Sequence, residues 1–401
     1  MHGGSKAIAQ LIANLSRRHD VALLVLRARG EPGVDDDLRA RCEVVEEVYL
    51  PESNGSIGAR VSQRIRLTSG LIRGTPTWAT ERMSPTFEQR IVELARDWHP
   101  DVVQFEFRIM GQFLRSLDWC EAALVLTDHD PDWASVAADV SGARLRRMLE
   151  SWAWRRLGRE VADCVGAVIV FTDRDRHTMA GLAGSAQIVR IPLGYDLTTS
   201  PLDPIGKDPY RIVYVGSFIH PPNVNSAVRL TRQIFPRVQA RVPDATLQLV
   251  GSYPPSTILD LEDDRVTVTG QVPDVTPYLD DAAVFAAPLV SGGGMRVKVL
   301  EALQAGKAIV ATRVAVAGLD VVDGEHVFLA DSDDEFGDAL VTLLEDPAAR
   351  EAIGRSARQW AELNLDWRTR LDAYDRLYAS LLARSAPWRV PASALEGSRI
   401  S

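Results

Sequence analysis

Cysteine is scarce: the 401-residue chain has three, Cys42, Cys120 and Cys164. They are far apart, odd in number and without His or Cys neighbours at metal spacing, which excludes a disulfide framework and a zinc site. A reduced, cytoplasmic protein is the expectation. Long hydrophobic runs are also lacking. No stretch reaches the 18 apolar residues of a transmembrane helix, and the first residues lack the charged-then-apolar order of a leader. Any membrane contact is therefore expected to be peripheral, at the inner face. Positive charge is in deficit, with 45 Lys and Arg against 54 Asp and Glu and a formal net charge of −9. That argues against nucleic acid as a partner, while leaving room for a local basic cleft that holds phosphate. Solenoid repeats and low-complexity tracts are missing as well.

What the chain does have is ordinary apolar content, 46% hydrophobic against 25% charged residues, and enough length for two domains of roughly 150–200 residues. Short β-rich runs alternate with amphipathic segments almost throughout, the pattern of an α/β protein with largely parallel sheets. Strands are predicted at 21–26, 44–50, 102–105, 122–126, 167–171 and 187–191, then at 211–215, 246–250, 266–269, 284–287 and 308–312. Helices are predicted at 6–17, 85–98, 223–241, 296–304 and 333–344, with two more between 350 and 384. Pro, Gly and Asp cluster between Pro192 and Pro209, where no period survives. The predicted division is a first domain at 1–194, a linker at 195–209, a second domain at 210–365, a helix at 366–385 that packs back on the first domain, and a tail at 386–401. The opening is unusual. A doubly wound domain begins with a buried strand that feeds its Gly-rich turn, yet Gly3 and Gly4 stand at the very start with a helix already beginning near Ser5. The first strand is missing, and the expectation is that the natural start lies upstream.

The segment Pro288–Gly306, PLVSGGGMRVKVLEALQAG, follows a predicted strand and opens a helix. Backbone N–H groups of Gly292, Gly293 and Gly294 can approach a phosphate closely at a helix N-terminus, where the helix dipole favours an anion. Arg296 and Lys298 add positive charge at the same end, and Glu301, one turn on, can accept hydrogen bonds from a ribose diol. Met295 falls within the same turn. An isolated GGG is otherwise an ordinary loop. The buried strand and Gly318 loop that follow put this turn at the carboxyl edge of a sheet, where ligands of open α/β folds bind.

Five landmarks then stand in one order: Gly3–Gly4 before the first helix, His129 within TDHD, Pro192-Leu193-Gly194-Tyr195-Asp196, Val215-Gly216, and the segment ending at Glu301. In this the sequence resembles the retaining GT-B glycosyltransferases of family 4 over nearly its whole length, in the sub-group form GGGxRxK. The resemblance implies a GT-B fold, two Rossmann-like domains facing a cleft, and transfer of a sugar from a nucleotide-diphosphate donor to an acceptor hydroxyl with retention of configuration. It implies donor contacts from Gly216, Gly292–Gly294, Met295, Arg296, Lys298 and Glu301. His129, Arg296 and Lys298 are the catalytic candidates, and Gly3, Gly4, Glu106 and His129 face the acceptor. Two departures stand out. Gly293 occupies the first position of the family's E-x7-E, and Ser217, His220 and Asn223 replace the basic pair that often follows the V-G stretch.

Asp128 and Asp130 flank His129 and are expected to orient its ring or raise its pKa. Glu106, at another strand end, is open to an acceptor-side, a structural or a solvated role. The Arg- and Trp-rich stretch Arg144–Arg159 fits either a helix on a membrane surface or one that packs Trp152 and Trp154 on the core with its arginines in water. No metal or other cofactor is expected, since cations and backbone dipoles would stabilise the leaving diphosphate. The partners expected are a nucleotide sugar and an acceptor saccharide, lipid-linked saccharide or small molecule. A sugar-nucleotide epimerase of GT-B shape and a non-catalytic binding subunit are the rival readings.

Overall fold

Apolar β-rich runs become strands close to where the sequence puts them, and every strand pairing among the described residues is parallel. The structure is a computed structural model and describes residues 3–51, 57–129, 144–182, 184–291 and 296–385. The first half holds β1 (Ala22–Arg27), β2 (Val44–Tyr49), β3 (Val102–Glu106), β4 (Ala123–Thr127), β5 (Ala167–Val170) and β6 (Gln187–Arg190). These form a β1-β2 pair and a separate sheet β3-β4-β5-β6. The second half holds β7 (Asp208–Val215), β8 (Thr246–Val250), β9 (Val266–Gly270), β10 (Ala282–Ala287), β11 (Ala308–Ala311) and a short β12 (Phe328–Leu329) that the sequence did not announce. Their order is β12-β11-β10-β7-β8-β9, so the chain reverses direction across the sheet between β7 and β10. Strand β10, AAVFAA, is buried at every residue, as expected for a central parallel strand with both faces covered. Burial of a side chain such as Phe285 contributes about 1.5–3 kcal/mol.

The helices that position the site are α1 (Gly3–Leu15), α2 (Ile57–Ile72), α3 (Pro85–Trp98), α4 (Arg144–Cys164), α5 (Asp173–Ala180), α6 (Pro221–Arg229), α7 (Val297–Ala305), α8 (Asp333–Glu345), α9 (Pro347–Asn364) and α10 (Trp367–Ser385). Local chemistry sets their ends. Ser84 caps α3 ahead of Pro85, and Ser332 with Glu335 makes a reciprocal capping box on α8, each satisfying amide groups that the first turn leaves open. The single helix expected at 223–241 forms, with one widened turn inside it. It runs as α6, a π turn at Leu230–Ile234 and a further helix at Phe235–Arg241. Pro236 is the cause, because its ring cannot donate into the ladder and crowds the preceding turn.

The irregular strap before β7 is held by cations. Lys307 Nζ donates to the Asp203 carbonyl, Arg350 Nε to Ile205 O at 3.1 Å and Arg358 Nη2 to Thr198 O at 2.7 Å. Lys307 and Arg350 have no exposed surface; burial pushes the Lys307 ammonium down to about 8. Strand β7 begins at Asp208, inside the predicted linker. Helix α10 lies against the first-half sheet, with Trp367, Leu371 and Tyr374 packed on Val125 and Ile169. A Cβ on Gly194 would stand 2.6 Å from the Trp367 ring, so this glycine lets the chain pass flat against the indole.

Candidate active site

Glycine 216 follows β7 and α7 follows the loop after β10, so both lie at the carboxyl ends of the two strands where the sheet order reverses, the place where open α/β sheets take ligands. There Lys298, in the first turn of α7, points its ammonium at Tyr214 Oη (3.0 Å) and Asn223 Oδ1 (2.7 Å) and sits 4.6 Å from the centre of the Tyr214 ring. Both acceptors are neutral. Burial, reinforced by the nearby Arg296 charge, pushes the ammonium down to about 7. A Cβ on Gly216 would lie 2.8 Å from Lys298 Nζ and 3.2 Å from the Asn223 side chain; only glycine leaves room for that approach. Arg296 stands at the N-cap position of α7, close enough to act electrostatically on Lys298, Tyr214 and Asp175. The structure thus brings Gly216, Arg296 and Lys298 together. Gly292, Gly293, Gly294 and Met295 lie outside the described residues.

Glu301 lines the same cavity as Gly216, Arg296 and Lys298. Its Oε1 accepts from Lys6 Nζ at 2.9 Å and from Tyr195 Oη at 2.7 Å. It therefore ties α1 and the Pro192–Asp196 stretch to α7, and the Tyr195 hydroxyl is raised above its ordinary range by burial and by this carboxylate. Gly3 and Gly4 form the first turn of α1, three residues or fewer from Lys6.

Across the cleft, His129 Nε2 lies 2.6 Å from Glu106 Oε2, and its ring is flanked by Phe107 at 4.3 Å and edge-on by Phe171 at 5.0 Å. Glu106 Oε1 also accepts from Gln104 Nε2 (2.6 Å) and Thr127 Oγ1 (3.0 Å). The carboxylate that orients His129 is therefore Glu106. The expectation that Asp128 would do so is corrected: Asp128 is buried at 1% exposure and takes both Nε (2.7 Å) and Nη2 of Arg108, itself 4% exposed. Asp130 lies outside the described residues. Between Glu106 and Arg108, Phe107 has φ 70°, a left-handed conformation that a bulky residue adopts only when its surroundings impose it. Asp175, in the first turn of α5, is raised by burial and by Asp128. Sequence reasoning missed Arg108, Asp175 and the Tyr195 contact, since none sits in a recognisable spacing.

A cavity of about 2280 Å³ joins these two walls, lined by Gly216, Arg296 and Lys298 on one side and by Glu106, Asp128 and His129 on the other. The profile of the family described as glycosyl transferases group 1 matches residues 209–346, the span that carries the Lys298 wall. The GDP-mannose-dependent alpha-(1-6)-phosphatidylinositol monomannoside mannosyltransferase of Mycolicibacterium smegmatis is 30% identical over 246 residues, 54% of this chain and 62% of that protein. Glycogen synthase of Mycobacterium tuberculosis is 25% identical over 301 residues, 71% of this chain and 69% of its own. Among solved structures, Anabaena Alr3699/HepE in complex with UDP and glucose superposes with a TM-score of 0.67 at 15% identity, covering 94% of this chain and 96% of that one. The chain has the GT-B fold and resembles glycosyltransferase family 4. In GT-B terms the second sheet carries the wall with Gly216 and Lys298, and the first carries Glu106 and His129. Sucrose-phosphate synthase of Thermosynechococcus elongatus shares the GT-B fold too, with a TM-score of 0.65 at 17% identity over 90% of this chain and all of that one.

Proposed function

We propose that the protein is a hexosyltransferase that moves a sugar from a nucleotide-diphosphate donor to an acceptor hydroxyl, with retention at the anomeric carbon. The observation that carries the reading is the withdrawn Lys298 ammonium, held by neutral acceptors at the sheet's reversal point. A diphosphate set against it would replace the missing countercharge. As the bond from the anomeric carbon to the leaving phosphate breaks, negative charge grows on the nucleotide diphosphate, and Lys298, Arg296 and the α7 N-terminus stabilise it. Glu106 holds His129 in one orientation toward the sugar and acceptor, and no metal enters this account. The names of the relatives make GDP-mannose the first donor to try and a lipid-linked or saccharide acceptor the first partner. The test is a panel of UDP-, GDP-, ADP- and TDP-sugars scored by thermal shift and nucleotide release. A donor that raises the melting temperature and yields a glycosylated acceptor supports transfer. Epimerised donor without transfer supports the epimerase reading, and binding without turnover supports a binding subunit.

A pH dependence follows from Lys298. In the free protein the ammonium loses its proton near pH 7, whereas a bound diphosphate favours the charged form and raises the pKa. Binding above pH 7 then takes up a proton, so the donor Kd is expected to rise about tenfold per pH unit there and to stay flat below. Calorimetry in buffers of different ionisation enthalpy would read the proton directly; a pH-independent Kd would contradict it. Lys298→Arg should flatten the profile.

We also propose peripheral contact with an anionic membrane. No helix among the described residues is long and apolar enough to cross one. Yet Val61, Ile65 and Ile72 of α2 and Leu145, Met148 and Trp152 of α4 are exposed at helical spacing, beside the exposed Arg146, Arg147, Arg155 and Arg156. Trp154, by contrast, is buried at 5%. Co-sedimentation with vesicles of phosphatidylglycerol and phosphatidylcholine should weaken with salt and drop severalfold for Leu145→Ser with Met148→Ser. Protein that stays in the supernatant would remove this part of the reading.

A further inference from the structure

Strands of a parallel sheet with helices on both faces read as near-continuous apolar runs. Strand β3, VVQFE, departs from that. Val103 and Phe105 pack into one core, while the alternate residues Val102, Gln104 and Glu106 share the other face, where α10 lies. Two polar side chains beneath a helix cost free energy unless each finds partners. Here they form one chain. The Tyr378 hydroxyl of α10 donates to Gln104 Oε1 at 2.6 Å, and Gln104 Nε2 donates to Glu106 Oε1 at 2.6 Å. Thr127 Oγ1 donates to the same carboxylate oxygen at 3.0 Å, and His129 Nε2 lies 2.6 Å from Glu106 Oε2. Tyr378, Gln104, Glu106 and His129 all line the cavity between the two walls.

Donor and acceptor roles along this chain are forced. A carboxylate only accepts, so the Gln104 group that meets Glu106 is its NH2, and the carbonyl at the other end of the amide is left for Tyr378. That carbonyl also only accepts, so the Tyr378 O–H donates; burial and the Glu106 charge hold the phenol protonated, above its ordinary range. His129 must likewise bring a proton to Nε2, which leaves Nδ1 as the acceptor of the neutral ring. Phe107 and Phe171 hold the ring at 4.3 and 5.0 Å, and His129 makes no second side-chain hydrogen bond among the described residues. We propose that Gln104 and Tyr378 are positioning residues for transfer: through Glu106 they fix His129 as the Nε2–H tautomer, leaving Nδ1 to accept a hydrogen bond from a hydroxyl of the sugar or acceptor. The role of Nδ1 rests on the transferase reading; the tautomer does not. Helix α10 thus contributes to the site as well as to the core beneath it.

Nitrogen-15 spectra of the histidine rings read the tautomer in the ligand-free 401-residue chain at about pH 8, where an ordinary imidazole is neutral. His129→Gln marks the signals. The parent is expected to show one Nε2–H ring. Glu106→Gln should invert it, because Gln104 and Thr127 go on donating to the new amide oxygen and turn its NH2 toward His129. Adding Gln104→Met removes the donor that imposes this orientation, so the Nε2–H form should regain about half of the population or more; Gln104→Leu replaces it if the methionine form does not fold. With a donor and acceptor that turn over, Gln104→Met and Tyr378→Phe should each lower kcat about tenfold, with the donor KM unchanged within about twofold. An Nδ1–H or mixed ring in the parent would overturn the proposal. So would a tautomer that ignores Gln104 in the Glu106→Gln background, or a kcat that neither single variant moves. The expected tautomers with no transfer from any donor would sink the transferase reading while leaving the chain from Tyr378 to His129 in place.

Discussion

Alanine at position 298 is expected to abolish the donor-induced thermal shift and to lower kcat/KM by about 10²–10³-fold, the magnitude seen when one preorganised donor to a developing anion is removed. The free variant should nevertheless fold normally. In the parent, the Lys298 ammonium sits well below its ordinary range because burial costs it hydration; its proton is bound by the unfolded chain up to about pH 10 and released by the folded one above about pH 7. The cost of burying this charge is therefore full below about pH 7 and fades as the pH rises toward about 10, so near neutral pH removing the residue offsets the loss of the hydrogen bonds to Tyr214 and Asn223. Melting within a few degrees of the parent, with donor response gone, is the expected combination. A variant that still binds a nucleotide sugar at parental affinity would sink the placement of the diphosphate on α7.

The second large effect concerns stability. Asp128→Ala leaves the Arg108 guanidinium, 4% exposed, without the carboxylate that accepts two of its N–H groups. Stripping one partner from a buried ion pair costs about 3–5 kcal/mol, enough to move a urea midpoint by more than 1 M at ordinary slopes. The paired change Arg108→Met with Asp128→Leu, which removes both charges, should recover most of that loss. If the single variant unfolds at the parental midpoint, the pair does not hold the β3 and β4 ends together. The effect should also reach the site, since Arg108 follows Phe107 and Asp128 precedes His129.

Strand positions were legible because short apolar runs between turn residues announce themselves, and the β10–α7 turn because glycines and cations in that order have few other uses. What escaped was contact between distant parts of the chain. Sequence adjacency pointed to Asp128 as the partner of His129. Neighbouring residues on an extended chain project to opposite sides, and Glu106 comes instead from β3, whose register sets it opposite Thr127. Lys6 meets Glu301 across 295 residues of chain and Tyr195 meets it across 106, distances over which spacing carries no information. The widened turn at 230–234 was readable in Pro236 but was hidden by the apolar period that continues across it.

The strap before β7 has no ladder of its own, and its carbonyls are met by Lys307, Arg350 and Arg358. Those cations lie 104 to 160 residues further along the chain. Part of the constraint on its course is thereby written elsewhere, in the buried faces of α9 and the turn after α7. The path of this connection is in part encoded downstream of it, so the Ile205 and Thr198 carbonyls find their partners only once α9 has been made.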